Sequence, residues 1–97
     1  GIGGLNAVIT VLAELAAKMD PEALLMASRK ETELSQVQRL GWLLEYIGES
    51  RLANPLAGWL LKKRIRKAPL DISKPVNGNK KNARWQIIVN ARPERDI

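Results

Sequence analysis

The spacing of apolar residues changes near Pro69, and this change limits the folds that the chain can adopt. Before it, apolar side chains recur every three or four residues, which is typical of helices that bury one face. After it, Pro69, Pro75 and Asn77-Gly78 exclude a long helix, and apolar residues alternate with polar ones as in strands. The sequence therefore predicts an α+β fold, with about four helices packed on a small sheet.

Two helices are expected before residue 30. The first covers 5–18, where apolar residues keep to one face. A second start follows at once, because Asp20 can cap a helix whose first position is Pro21 and because Glu22 favours the positive end of the dipole. This helix runs to about Arg29, and the short connector makes the two helices neighbours.

Two further helices follow. Ser35 and Gln38 have the spacing of a capping box, which predicts a third helix from about Gln36 that ends at Gly48. Asn54 before Pro55 predicts a fresh cap and a fourth helix over about 55–66.

Gly41 stands inside the third helix, where a glycine costs ~1 kcal/mol relative to alanine. A position without a side chain lets another segment approach closely, and the neighbour expected here is the alanine-rich stretch 13–17 of the first helix. Trp42, Trp59 and Trp85 are expected to help close the core, although an exposed Trp42 would instead mark an interface.

Two strands are predicted near 69–73 and 84–90, with Lys80 and Lys81 on a flexible basic loop between them. Two strands alone are marginal, so the helices must cover them or residues upstream of this chain must complete the sheet. The 97 residues form one domain. Because the chain begins with Gly1 and not Met, we expect it to be a domain of a longer protein, although processing or a tag remnant would give the same start.

The composition argues against an enzyme. The chain has no Cys and no His, which excludes thiol and imidazole chemistry and most zinc or haem ligation. Its carboxylates are scattered over predicted solvent faces, so the pairs needed for acid–base catalysis are missing. We therefore expect no catalytic residue, no metal and no cofactor. The lack of cysteine is compatible with the cytoplasm, and no stretch is apolar enough to cross a membrane.

Charge is unevenly placed along the chain. Residues 1–50 carry four basic and seven acidic side chains, a net −3, whereas residues 51–97 carry twelve and three, a net +9. This asymmetry predicts nucleic acid as a partner, although a solubilising basic face at a helix end gives the same pattern. No aromatic residue interrupts the run 62–67, so base stacking is not expected. The candidate nucleic-acid-binding residues are Lys62, Lys63, Arg64, Arg66, Lys67, Lys80, Lys81 and Arg84.

Several short segments, taken in order, resemble one family. They are Gly3-Gly4-Leu5 before the first helix, Met19-Asp20-Pro21, the sequence VQRLGWLLE at 37–45, Pro69-Leu70, and RWQIIVN at 84–90. Together they resemble the C-terminal domain of the AbiEi family of antitoxins, from bacterial abortive-infection toxin–antitoxin systems. The segments at 37–45 and 84–90 are the most specific part of the likeness.

The resemblance implies a two-domain parent whose N-terminal winged-helix domain, absent here, binds and represses the operon promoter. It implies that the C-terminal domain counteracts a nucleotidyltransferase-type toxin, with or without direct binding, and adds basic surface for DNA. Two other functions stay open: a non-catalytic basic nucleic-acid-binding module, and a structural or dimerisation domain that forms a homo-oligomer.

Overall fold

The computed structural model describes residues 4–76 and 78–91, with side chains from residue 9 onward, so Gly3 and Asn77 lie outside the described part. Within these ranges the chain forms four helices and a three-stranded sheet, which confirms the α+β prediction. The helices are α1 (Gly4–Ala16), α2 (Pro21–Arg29), α3 (Leu34–Tyr46) and α4 (Ser50–Leu60). The strands are β1 (Ala68–Pro69), β2 (Lys80–Asn82) and β3 (Ile87–Val89).

The start of α2 and the end of α3 follow the predicted chemistry. The Asp20 carboxylate accepts a hydrogen bond from the backbone N–H of Ala23 at 3.1 Å, and Pro21 takes the first helical position. Gly48 adopts a φ of 85°, the left-handed conformation that closes a helix, and the Glu49 N–H bonds back to the Leu44 carbonyl. Local sequence is therefore sufficient to set these two boundaries.

The predicted capping box of α3 is wrong. The residue before the helix is Glu33, which makes no side-chain cap, and Gln38 is turned into the core with only 1% of its surface exposed. Its Nε2 donates to the carbonyls of Arg66 and Trp85, at 2.8 and 2.9 Å. Buried carbonyls that need a donor compete for this amide more effectively than a solvated helix end does.

The fourth helix begins earlier and ends earlier than predicted. It runs from Ser50 to Leu60 with Pro55 inside it, and its buried residues Leu52, Ala53, Leu56, Ala57 and Leu60 form one face across the proline. Burial of this continuous face outweighs the hydrogen bond that Pro55 removes. The basic run 62–67 consequently lies beyond the helix, in the connector to β1.

The sheet has the order β1-β3-β2, with β1 parallel to β3 and β2 antiparallel to it. Lys80 and Lys81, predicted in a flexible loop, instead belong to β2, so the third strand comes from within this chain. The predicted strands are also shorter in the structure. The turn between β2 and β3 takes up 83–86, with Gln86 at a φ of 53°, and the Asn82 side chain accepts from the Trp85 N–H at 3.0 Å.

One core joins the helices to the sheet. Leu44, Leu52, Leu56, Leu60, Trp85 and Ile87 are among its fully buried members. Trp85 confirms the prediction of a core tryptophan, whereas Trp42 and Trp59 are half-buried at the edge. Of the described helices, none is long and apolar enough to cross a membrane.

Gly41 lies directly under the ring of Trp85. A Cβ added at Gly41 would overlap three ring carbons, far inside the 3.0 Å that real Cβ contacts respect. The predicted neighbour, the alanine-rich stretch 13–17 of α1, is therefore wrong. The indole Nε1 is buried and has no hydrogen-bond partner within the described residues, so packing on Gly41 and the backbone bond from Gln38 position the ring. We call Gln38, Gly41 and Trp85 the Trp85 joint.

Candidate nucleic-acid interface

The eight basic residues singled out in the sequence do not form one surface. Lys62 and Lys63 follow the end of α4 and line a cleft against α2. Lys67 and Lys81 meet on the sheet, and Arg84 is bonded to the helices. Each of these three places has a different geometry.

The cleft beside α4 has a volume of about 450 Å³ and is lined by Leu25, Arg29, Pro55, Trp59, Lys62 and Lys63. Trp59 is half-buried, and the Lys63 Nζ lies 5.3 Å from its ring centroid, within cation–π range. The three cationic side chains are exposed, and among the described residues no acidic side chain lines this space. We call this set the Trp59 cleft.

Sequence reasoning missed two members of the Trp59 cleft. Arg29 was assigned only to the end of α2, and Trp59 only to the core. No aromatic residue lies within the run 62–67 itself, but Trp59 shares the cleft with Lys62 and Lys63. The i, i+4 spacing of Trp59 and Lys63 was a signal for this contact. Nothing in the sequence connected either residue with Arg29, thirty positions earlier.

Lys67 and Lys81 approach each other on the sheet. Lys67 precedes β1, and Lys81 pairs in register with Ile88 on the central strand. A side-chain hydrogen bond with Lys67, followed by repulsion from its charge, lowers the pKa of Lys81 below its ordinary value.

Arg84 has bonds within the protein. Its guanidinium forms an ion pair with Glu45 on α3. It also donates a hydrogen bond of 2.6 Å to the Oδ1 of Asn54 on α4. Its Cζ also lies 5.4 Å from the Trp85 ring centroid. These contacts attach the turn before β3 to both helices, which gives Arg84 a structural role in addition to the predicted binding role.

The remaining basic residues are exposed. Arg64, Arg66 and Lys80 are exposed at their side chains, and the Arg66 carbonyl accepts the bond from Gln38. Gln38 therefore attaches the basic connector to the core by its backbone and leaves the Arg66 side chain in solvent. Their part in binding stays a prediction.

Within the described ranges, no group of three or more acidic, Cys or His side chains is placed to hold a metal ion. Comparison with known proteins gives no relative: no family model matches the chain, and neither a curated protein nor a solved structure matches it. The chemistry available is that of cationic side chains around a half-buried indole and on an adjacent sheet.

Proposed function

We propose that this chain is the C-terminal domain of an AbiEi-type antitoxin, a non-catalytic regulator in the bacterial cytoplasm that counteracts a nucleotidyltransferase-type toxin. The observation that supports this proposal is the Trp85 joint. Gln38 and Gly41 come from the segment at 37–45, Trp85 comes from the segment at 84–90, and these are the two most specific parts of the resemblance.

Their contact bears on whether the resemblance is accidental. The Trp85 ring rests on Gly41, and the Gln38 side-chain amide donates to the Trp85 carbonyl, so the arrangement needs all three residues at once. The contact shows that the two segments pack against each other, as segments that determine one fold do. Because the same two segments carry the resemblance, the joint is the support offered for the proposal, and the antitoxin function is what the resemblance implies.

Growth rescue tests the proposal. The chain, or its full-length parent, is expressed together with a nucleotidyltransferase-like gene encoded beside it, and restored growth is the expected result. Gly41→Ala, which breaks the joint, should abolish rescue, whereas the matched variant Gly58→Ala should retain it. If no such neighbouring gene exists, or if neither chain nor parent restores growth, the antitoxin proposal is refuted.

A second function, a basic nucleic-acid-binding module, is favoured by the exposed cations that follow α4, Lys62, Lys63 and Arg64. Replacing Lys62, Lys63 and Arg64 with Gln should weaken binding to duplex DNA and flatten its salt dependence, because each lost phosphate contact removes about one unit of slope. Lys67→Gln and Lys81→Gln should act in the same direction. Binding and slope that stay at wild-type values in all these variants would eliminate this second function.

A further inference from the structure

The Trp59 cleft combines two kinds of surface. One wall is apolar and flat, formed by the Trp59 indole with Leu25 and Pro55. The rim is cationic, formed by Arg29 from α2 and by Lys62 and Lys63 after α4. Its volume, about 450 Å³, falls within the ~300–1,000 Å³ of small-molecule sites.

These surfaces define the ligand that would fit. The ligand needs a flat ring that can stack on the indole and a negatively charged group attached nearby that can reach the cations. A nucleotide has both, since its base is joined to a phosphate through the sugar. A duplex keeps its bases stacked inside, so it presents phosphates but no free base face. An acidic peptide would use the cations alone and would gain nothing from the indole. The cleft therefore favours an unpaired nucleotide.

We infer that the Trp59 cleft binds single-stranded nucleic acid, with one base stacked on Trp59 and the adjoining phosphate held by Arg29, Lys62 and Lys63. This inference rests on the nucleic-acid function proposed above and names the form of its ligand. Lys63 now occupies a face of the indole at 5.3 Å. An incoming base replaces the ammonium there, and the freed ammonium pairs with the phosphate.

Binding of the full 97-residue chain to three probes tests the inference: a short oligothymidylate, an abasic oligonucleotide of the same length, and a duplex. Trp59→Leu keeps an apolar side chain against the core but removes the stacking surface. It should weaken oligothymidylate binding about tenfold or more, the range expected for loss of one base–aromatic stack, and leave abasic binding unchanged. Melting of each variant, followed by circular dichroism, shows that it is folded.

Matched variants separate the cleft from general charge. Arg29→Glu should weaken binding of both single-stranded probes. Lys18→Glu makes the same charge change on an exposed residue that does not line the cleft, so it should weaken binding less.

Tryptophan fluorescence reports directly on the stacked base. Oligothymidylate should quench this fluorescence in wild type and in Trp42→Phe, and the quenching should be lost in Trp59→Leu. Trp42 is a suitable control because it is also half-buried but stacks on Tyr46, with ring centroids 5.2 Å apart.

Three results would overturn the inference. The first is a folded Trp59→Leu that binds oligothymidylate as wild type does. The second is abasic and thymidylate oligonucleotides binding equally well to the wild type, which would show that the base contributes nothing. The third is an oligoglutamate peptide that competes as strongly as the oligonucleotide. If duplex binding persists in any of these cases, only the cleft inference fails; if no nucleic acid binds at all, the nucleic-acid function fails with it.

Discussion

Trp85 and Trp59 differ in how far their indole rings are exposed to other molecules. Trp85 is fully buried, its ring rests on Gly41, and its backbone is bonded to Gln38. Trp59 is half-buried, faces a cleft, and has a lysine ammonium over its ring. One indole is enclosed by its own chain, and the other leaves part of its surface for a ligand.

The difference shows that the residues that carry the resemblance are not the residues that are free to contact a ligand. The segments that carry the family resemblance meet in the Trp85 joint, where their side chains are occupied by one another. The Trp59 cleft draws on Arg29, Trp59 and the start of the basic run, and no motif of the sequence pointed to this combination. Variants of the joint should therefore change the stability of the domain, and variants of the cleft should change its binding.

The largest effect is expected at the glycine of the joint. Gly41→Ala places a methyl group inside the Trp85 ring, and the ring is enclosed and cannot move away. Overlap with three atoms of an enclosed ring should cost ~4 kcal/mol, above the usual ~1–3 kcal/mol for overpacking, and helix propensity returns ~1 kcal/mol. We therefore expect a net loss of ~3 kcal/mol in the free energy of unfolding. Urea denaturation measures this loss, and a decrease in Tm of more than about 10 °C should accompany it in a domain of this length.

Gly58 supplies the matched control. It also lies inside a helix, α4, but is exposed, and an added Cβ meets nothing within 4 Å. Gly58→Ala should therefore stabilise the domain by up to ~1 kcal/mol. If the two substitutions change the free energy of unfolding equally, in either direction, the Trp85 ring does not restrict the size of the side chain at position 41.

A smaller effect is expected at Gln38. Gln38→Leu keeps the volume but leaves the carbonyls of Arg66 and Trp85 without their donor, which should cost ~1–3 kcal/mol. The exposed Gln36 on the same helix is the control, since Gln36→Leu should stay within ~0.5 kcal/mol of wild type. Thermal or urea unfolding compares the two. If the Gln38 variant is as stable as the Gln36 variant, the Gln38 amide does not stabilise the joint.

The smallest effect is expected at an exposed hydrogen bond, which gives a reference for the buried ones. Asp71 accepts from the Ser73 hydroxyl at 2.5 Å and from the Ser73 N–H at 2.9 Å, and these bonds lower the pKa of Asp71 below its ordinary value. A lowered carboxyl pKa contributes stability above the unfolded pKa and loses it as pH falls through the folded pKa.

Ser73→Ala should accordingly raise the pKa of Asp71 towards its ordinary value, which an NMR titration of the carboxyl carbon detects. The Tm difference between wild type and Ser73→Ala should be present at neutral pH and disappear in acid. A difference that persists below the folded pKa would assign the effect of Ser73 to something other than this carboxylate.

Sequence patterns performed well where the relevant forces are local. The cap at Asp20 and the left-handed Gly48 involve neighbours only a few residues away, and both are as predicted. Predictions failed where a distant partner competes. Gln38 was predicted to cap α3, but its side-chain amide instead donates to carbonyls about thirty and fifty positions later. Pro55 had a good local role as a helix start, and a continuous buried face carried the helix through it.

The sequence by itself determined the fold class, the helix boundaries at Asp20 and Gly48, and the concentration of positive charge in the second half. Periodicity, these two local caps and net charge are properties of short segments or of composition. Tertiary structure alone decided that Gly41 faces Trp85, that Lys80 and Lys81 pair with β3, and that Arg29 shares a cleft with Trp59. These contacts join residues far apart in the chain, and packing of the whole core selects them, so no local pattern encodes them.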